Sequence, residues 1–353
     1  MEETIAQIVR GAIEDSVFPG CVVGIIKNGR KIILSFGNYT YEYGAKAMHT
    51  ESIFDIASIT KSIPTSSLAL LLIDRGKMRL DDKLIKYLPE FRNPDREQVL
   101  IWHLLTHTLD FDLTLSSLKN LSPGAILERI YTAKLKSKPG TKYAYVNATS
   151  ILLGLVSERV TGEKLDAFSE REFFQPLGMS RTTFHPEKFE KTEIVPTEID
   201  GWRGRLIQGE VHDESAYSLR KKYIVGSAGV FSTASDLLTF LEMLLYMGSY
   251  KEKKYFSEGI VKEMYTNQLG RLGIFGGLGW ELCQPRFMGK YATKNTFGKT
   301  GFTGCLVLCD PEKQIGIVIL SNFTYPERKS DKNIRDRVFR EVADIIFLID
   351  NLL

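Results

Sequence analysis

Three short groups of residues carry side chains that could act together on an acyl carbon. Ser58-Ile59-Thr60-Lys61 sets a hydroxyl and an amine three positions apart, where the apolar stretch Ile53-Phe54-Asp55-Ile56-Ala57 gives way to a helical pattern. On a helix that spacing puts both side chains on one face, about one turn apart. A serine at a helix start is met by backbone N–H groups and by a dipole that favours developing negative charge. The lysine can act as its base only if burial or a neighbouring cation lowers its pKa, because an exposed lysine stays protonated.

The second group is Tyr145-Val146-Asn147, which follows the turn sequence Pro139-Gly140-Thr141 and leads into a helical pattern from Ala148. Asn147 is placed to cap that helix, and a phenol beside lysines could shuttle a proton. The third is Lys299-Thr300-Gly301, read as opening a strand that runs to Cys309. Its lysine and threonine could hold a carboxylate, and its glycine lets a ligand approach the backbone.

Each group has an ordinary reading too. Ser-x-x-Lys recurs at Ser116–Lys119 and Ser218–Lys221, and Tyr-x-Asn recurs at Tyr265-Thr266-Asn267. Taken alone, these are a solvated helix face, a core tyrosine beside a cap and the start of a strand. His103 and His107, four apart, lack the intervening glutamate of a zinc-hydrolase helix and read as structural. His212-Asp213 reads as a surface or cleft-lining loop, because neighbours in an extended segment point to opposite sides. No Gly-x-Ser-x-Gly elbow occurs in the chain.

The elements that must position these residues follow from periodicity. Ile5, Ile8, Val9 and Ile13 mark an amphipathic helix. Cys21–Ile26 and Lys31–Phe36 flank Lys27-Asn28-Gly29-Arg30, an Asn-Gly hairpin turn. Gly304–Cys309 and Ile315–Leu320 form a second apolar pair, followed by helical spacing from Ile334 to Leu348. The two ends thus predict one antiparallel sheet, with the terminal helices covering its faces. Helical patterns at Ser62–Arg75, Ile101–Thr106, Ala125–Thr132 and Ala148–Val160 predict a mostly helical insertion. The expected organisation is an α/β chain of the α+β type: residues 1–80 and 225–353 form the sheet lobe, 81–224 the helical lobe, and the site lies between them.

Bulk properties narrow the class. At 353 residues the chain can bury a sizeable core, and 43% hydrophobic with 25% charged residues is ordinary for a globular protein. A net charge of +3 with only short, mixed basic clusters argues against nucleic acid. The longest apolar run, Leu68–Ile73, is too short to span a bilayer, and the acidic opening does not read as an export signal. A cytoplasmic location, without membrane partners, is therefore expected. Cys21, Cys283, Cys305 and Cys309 lack zinc spacing and are expected to be reduced thiols.

In order, the three groups resemble the motifs of the serine β-lactamase and penicillin-binding-protein family, in its class C-type branch of esterases and D-amino-acid peptidases. The resemblance extends through FDIASITKS, WHLLTHT, PGTKYAYVNATSILLGLVSERVTG, FFQPLGMSRT, VHDESAY, VGSAGVFSTASDL, GLGW and FGKTGFTG, from about Phe54 to Asn322. It implies a β-lactamase/transpeptidase-like fold and a serine hydrolase that cleaves esters, small amides or peptides through a Ser58 acyl-enzyme. Lys61 and Tyr145 would move the proton, and the backbone N–H groups of Ser58 and Phe302 would form the oxyanion hole. Asn147 would contact a substrate amide, Lys299 would tune Tyr145 or bind a carboxylate with Thr300 and Gly301, and no metal or organic cofactor would be needed. The alternatives are a penicillin-binding D,D-carboxypeptidase, a class C-type β-lactamase, or a catalytically silent scaffold. Two departures stand out: Pro64 inside the expected helix, and Thr108-Leu109-Asp110-Phe111-Asp112 where relatives read Thr-Ser-Gly.

Overall fold

A computed structural model describes residues 1–348. Its centre is a six-stranded antiparallel sheet built from both ends of the chain. The strands used below are β1 (Gly20–Lys27), β2 (Arg30–Gly37), β3 (Phe54–Asp55), β4 (Phe231–Ser232), β5 (Glu281–Leu282), β6 (Phe297–Gly301), β7 (Cys305–Asp310) and β8 (Ile315–Ser321). The sheet order is β2-β1-β8-β7-β6-β5, while β3 and β4 pair separately.

The Asn-Gly turn does what its chemistry predicts. Lys27 pairs with Arg30, and Asn28 and Gly29 both take positive φ, at 47° and 79°, which matches the twist of the flanking strands. Strands β1, β7 and β8 are buried throughout, hence their near-continuous apolar sequences.

Alternate residues divide the core in two. Cys21, Val23 and Ile25 of β1 join Ile317 and Ile319 of β8 against α1 (Glu2–Glu14) and α6 (Asn333–Phe347). Val22, Ile26, Val318 and Leu320 point the other way, onto α5 (Ala234–Leu245) and the helical middle of the chain. Each such aliphatic side chain, fully buried, contributes about 1.5–3 kcal/mol. The terminal helices therefore share one face, whereas the sequence pattern predicts them on both. The reason is the 3.6-residue stripe of α5, whose Leu237, Leu238, Leu241 and Leu244 already fill the opposite face.

Two further expectations change. Lys299–Cys309 is not one strand but a hairpin, in which β6 ends at Gly301 and β7 begins at Cys305. Gly304 turns the chain at φ 115°, where a Cβ would meet Phe323 and Ser321. The helix after Ser58 is also broken. Ala57–Lys61 is a short 3₁₀ turn, Ile63 is extended at φ −118° and ψ 107° before a cis Pro64, and regular α2 covers only Ser67–Asp74. Proline disfavours helical geometry in the residue before it, and Ile63 follows that rule.

Helix α3 (Asn147–Thr161) ends at Gly162 with φ 75°, and the cap of α4 (Glu214–Arg220) meets its start through Asp213 and Asn147. Among the described residues the four cysteines are free thiols, and no helix is long and apolar enough to cross a membrane.

Candidate active site

Ser58 sits in the 3₁₀ turn that β3 feeds. That turn is fixed by Asp55, a buried carboxylate that accepts the backbone N–H of Ala57 at 2.8 Å and of His212 at 2.7 Å. Burial raises the Asp55 pKa, and the two N–H groups work against that rise. Ala57 is held at φ 45°, a left-handed conformation uncommon for a residue with a Cβ. The Asp55 hydrogen bond to its N–H is what tethers it there.

Lys61 is buried one short turn later, its Nζ 3.0 Å from Ser58 Oγ and 2.7 Å from the Ser227 carbonyl oxygen. The kink at Pro64 begins after Lys61 and leaves the pair intact. Ser62 donates to the Gly279 carbonyl at 2.6 Å and Thr65 to the Gly226 carbonyl at 2.9 Å, so the broken segment is clamped by side chains.

Tyr145 is 42% exposed as a residue, yet its phenol faces the Ser58–Lys61 pair closely enough for both to bear on its ionisation. Lys299 closes the cluster from β6. Its Nζ lies 4.2 Å from the Tyr145 ring centroid and that of Lys61 lies 5.2 Å from it.

The electrostatics follow from this crowding. Burial lowers the pKa of Lys61, reinforced by Lys299 and opposed by Tyr145. Burial alone would raise the phenol of Tyr145, but the charges of Lys299 and Lys61 overcome it and hold that pKa below the usual tyrosine value. Lys299 goes the other way: burial opposes its charge, while the Glu281 carboxylate at 2.7 Å, with the two phenols nearby, keeps it firmly protonated. The site thus pairs one amine biased toward neutrality with one fixed cation.

A cavity of about 440 Å³ opens over Ser58, lined by Tyr145, Lys299, Thr300, Gly301 and Phe302 among others. The structure therefore brings seven of the eight expected site residues together, with Lys61 behind Ser58. Asn147 is the exception. It is the first residue of α3 rather than its cap, a place taken by Val146, and its amide donates to Asp213 at 3.0 Å. It lines an adjoining cavity of about 300 Å³, with Tyr145 as the shared wall. The Val146 backbone is extended, so the helix begins one residue earlier than the sequence suggests.

Several residues at the site stand outside the three groups read from the sequence. Glu281, directly after Gly279 and Trp280, bonds Lys299; the GLGW segment signalled the loop but not the carboxylate. Ser227 supplies the carbonyl that receives Lys61. His107, buried and kept neutral by burial and by the two lysines, packs with its ring centroid 5.0 Å from that of Tyr145 and shares a hydrogen bond with Thr149. Of the surface or cleft-lining loop expected at His212-Asp213, Asp213 takes the cleft-lining place, on the cavity beside Asn147, while His212 is buried, its Nε2 2.7 Å from Glu198 and its ring 5.6 Å from that of Phe302. Asp110 and Asp112 pair with Lys142 and Lys136 and do not line the Ser58 cavity, so the departure in that loop braces the fold rather than shaping the cavity. Among the described residues no cluster of three or more His, Cys, Asp or Glu could hold a metal ion.

A hydroxyl, an amine and a phenol converging beside β6 are the arrangement of a serine enzyme of the β-lactamase-like type. The Beta-lactamase family profile matches residues 5–340, and the chain belongs to that family of serine hydrolases. An Escherichia coli K12 protein named "Putative D-alanyl-D-alanine carboxypeptidase" is 32% identical over 319 residues, covering 81% of this chain and 72% of that one. An N-acetylmuramyl-L-alanine amidase of Bacillus subtilis strain 168 is 29% identical over 344 residues, covering 86% and 77%. Among solved structures, EstCE1, a hydrolase with promiscuous acyltransferase activity, aligns at a TM-score of 0.75 with 23% identity over 96% of this chain and 98% of that one. The octameric penicillin-binding protein homologue from Pyrococcus abyssi aligns at 0.72, with 23% identity over 91% and 73%. These two likenesses concern the fold.

Proposed function

We propose that the chain hydrolyses esters or small amides and peptides through an acyl-enzyme on Ser58. The observation that carries this reading is the position of Ser58 Oγ, 3.0 Å from a buried lysine whose pKa is lowered and whose Nζ lies 5.2 Å from the Tyr145 ring centroid. With Lys61 neutral, one of its hydrogens is held by the Ser227 carbonyl and its lone pair can accept the Ser58 proton. Ser58 then attacks the substrate carbonyl, and the backbone N–H groups of Ser58 and Phe302 receive the oxyanion. Tyr145 and Lys61 relay the proton to the leaving alcohol or amine as its bond to the acyl carbon breaks. Water, deprotonated by the same pair, releases the acid and restores Ser58.

The names of the Escherichia coli and Bacillus subtilis relatives support a second reading, in which the substrate is a peptide ending in D-alanine or a muramyl amide. One set of assays separates the readings: p-nitrophenyl esters, a chromogenic cephalosporin and D-amino-acid p-nitroanilides, each with the native chain and Ser58→Ala. Turnover lost in Ser58→Ala supports the acyl-enzyme, and the substrate turned over picks the reading. Equal turnover by both proteins overturns the role of Ser58. No turnover and no covalent adduct by mass spectrometry leaves the scaffold reading in its place.

A further inference from the structure

The ion pair behind Tyr145 bears on substrate choice. Lys299 is 2% exposed, and its ammonium donates to Glu281 Oε1 at 2.7 Å. Glu281 faces the same cavity as Ser58, Tyr145 and Lys299, and its side chain is still 18% exposed. Its backbone is held from both sides, by pairing with Gly298 of β6 and by a bridge to Gly276, so the carboxylate is built into the wall.

We propose that Glu281 is a specificity-determining residue that turns away acyl donors carrying a carboxylate beside the scissile bond, so that the preferred substrates are uncharged there. This rests on the Ser58 reading above. A carboxylate approaching Lys299 must come within a few ångströms of Glu281, whose like charge cancels the attraction of the ammonium. Replacing the Lys299–Glu281 bond with a substrate bond would also leave Glu281 partly buried without its cation.

The other cations on the cavity wall have partners of their own. Arg335 is committed to Asp336 and to the Gly301 carbonyl, and Arg286 pairs with the same Asp336. Lys332 sits over the Phe302 ring, 4.8 Å from its centroid. Lys61 is biased toward neutrality. At Lys299 itself, therefore, a substrate carboxylate meets the Glu281 charge along with the ammonium.

The test uses a matched pair, phenyl hippurate and 3-carboxyphenyl hippurate, with the native chain, Glu281→Gln and Glu281→Ala. Within each protein the ratio of kcat/KM for the carboxylate ester to that for the neutral ester is read, so a general loss of activity cancels. The expected result is a preference for the neutral ester in the native chain, and a rise of about tenfold or more in the ratio in both variants, carried mainly by KM. A ratio unchanged or lowered in both variants, or a native preference for the carboxylate ester, overturns the proposal. Turnover of the neutral ester that survives Ser58→Ala strikes at the Ser58 reading instead, which keeps the two failures apart.

Discussion

The nitrogen of Lys61 is anchored to the carbonyl of Ser227, 166 positions along the chain, at 2.7 Å, a shorter contact than the 3.0 Å it makes with Ser58. The amine is thus oriented by a main-chain atom that no side-chain substitution removes. Lys61→Met keeps the length of the side chain but deletes the amine, and ester turnover should fall roughly 10²–10⁴-fold with thermal stability kept. Steady-state kinetics beside a melting curve checks both, and a variant with native kcat would remove Lys61 from the proton path.

Tyr145→Phe deletes one hydroxyl at the mouth of the cavity. Acylation followed by stopped flow should slow by roughly 10²–10³-fold, while the melting temperature hardly moves. An unchanged acylation rate would leave the phenol outside the mechanism.

Lys299 holds the pKa values of both Tyr145 and Lys61 down. In the proposed mechanism Lys61 must be neutral, so activity should fall as pH drops through its pKa. Lys299→Met removes the fixed cation, both values rise, and the acid limb of kcat/KM should move to higher pH. A pH profile of ester hydrolysis reads the direction, and a limb that stays in place would contradict the electrostatic account.

Gly226 precedes the Ser227 carbonyl, and a Cβ there would lie 2.5 Å from the Ser150 carbonyl oxygen and 2.5 Å from Thr65 Cγ2. Gly226→Ala should therefore push this segment away from Lys61, costing about 1–3 kcal/mol of stability together with most of the turnover. Native activity in that variant would mean that the Ser227 contact is dispensable.

His103 is buried, and its Nδ1 accepts the Leu100 N–H at 2.8 Å. Burial pulls its pKa from 6.5 down to about 4. A group depressed in the fold contributes stability that is complete above its unfolded pKa and is lost as pH falls toward the folded one. Stability should therefore drop by up to roughly 3 kcal/mol as the pH falls across that interval. Denaturant unfolding at both ends of it should show a smaller drop in His103→Gln, and equal drops would assign the acid sensitivity elsewhere.

Local chemistry was legible where one segment carries its own instructions. Asn28-Gly29 announced its hairpin, the apolar runs of β1 and β8 announced the sheet, and Ser58, Lys61, Tyr145 and Lys299 announced the cavity through their order. What stayed hidden depends on contacts between distant segments. Glu281 is one acidic residue among 43 Asp and Glu until β5 lays it beside β6, and Ser227 contributes a carbonyl that any residue possesses. The cap position of α3 turned on the backbone angle of Val146, and the shared face of the terminal helices turned on where α5 packs.

The pairing of Val22 with Leu320 sets a timetable for biosynthesis. A ribosome adding 5–20 residues per second makes the β1–β2 hairpin first and then takes roughly 15–60 s to reach its partner β8. Through that interval β1 presents a bare, apolar edge, the kind of edge that pairs with other chains. Shielding of the nascent hairpin over that interval therefore bears on the yield of native protein.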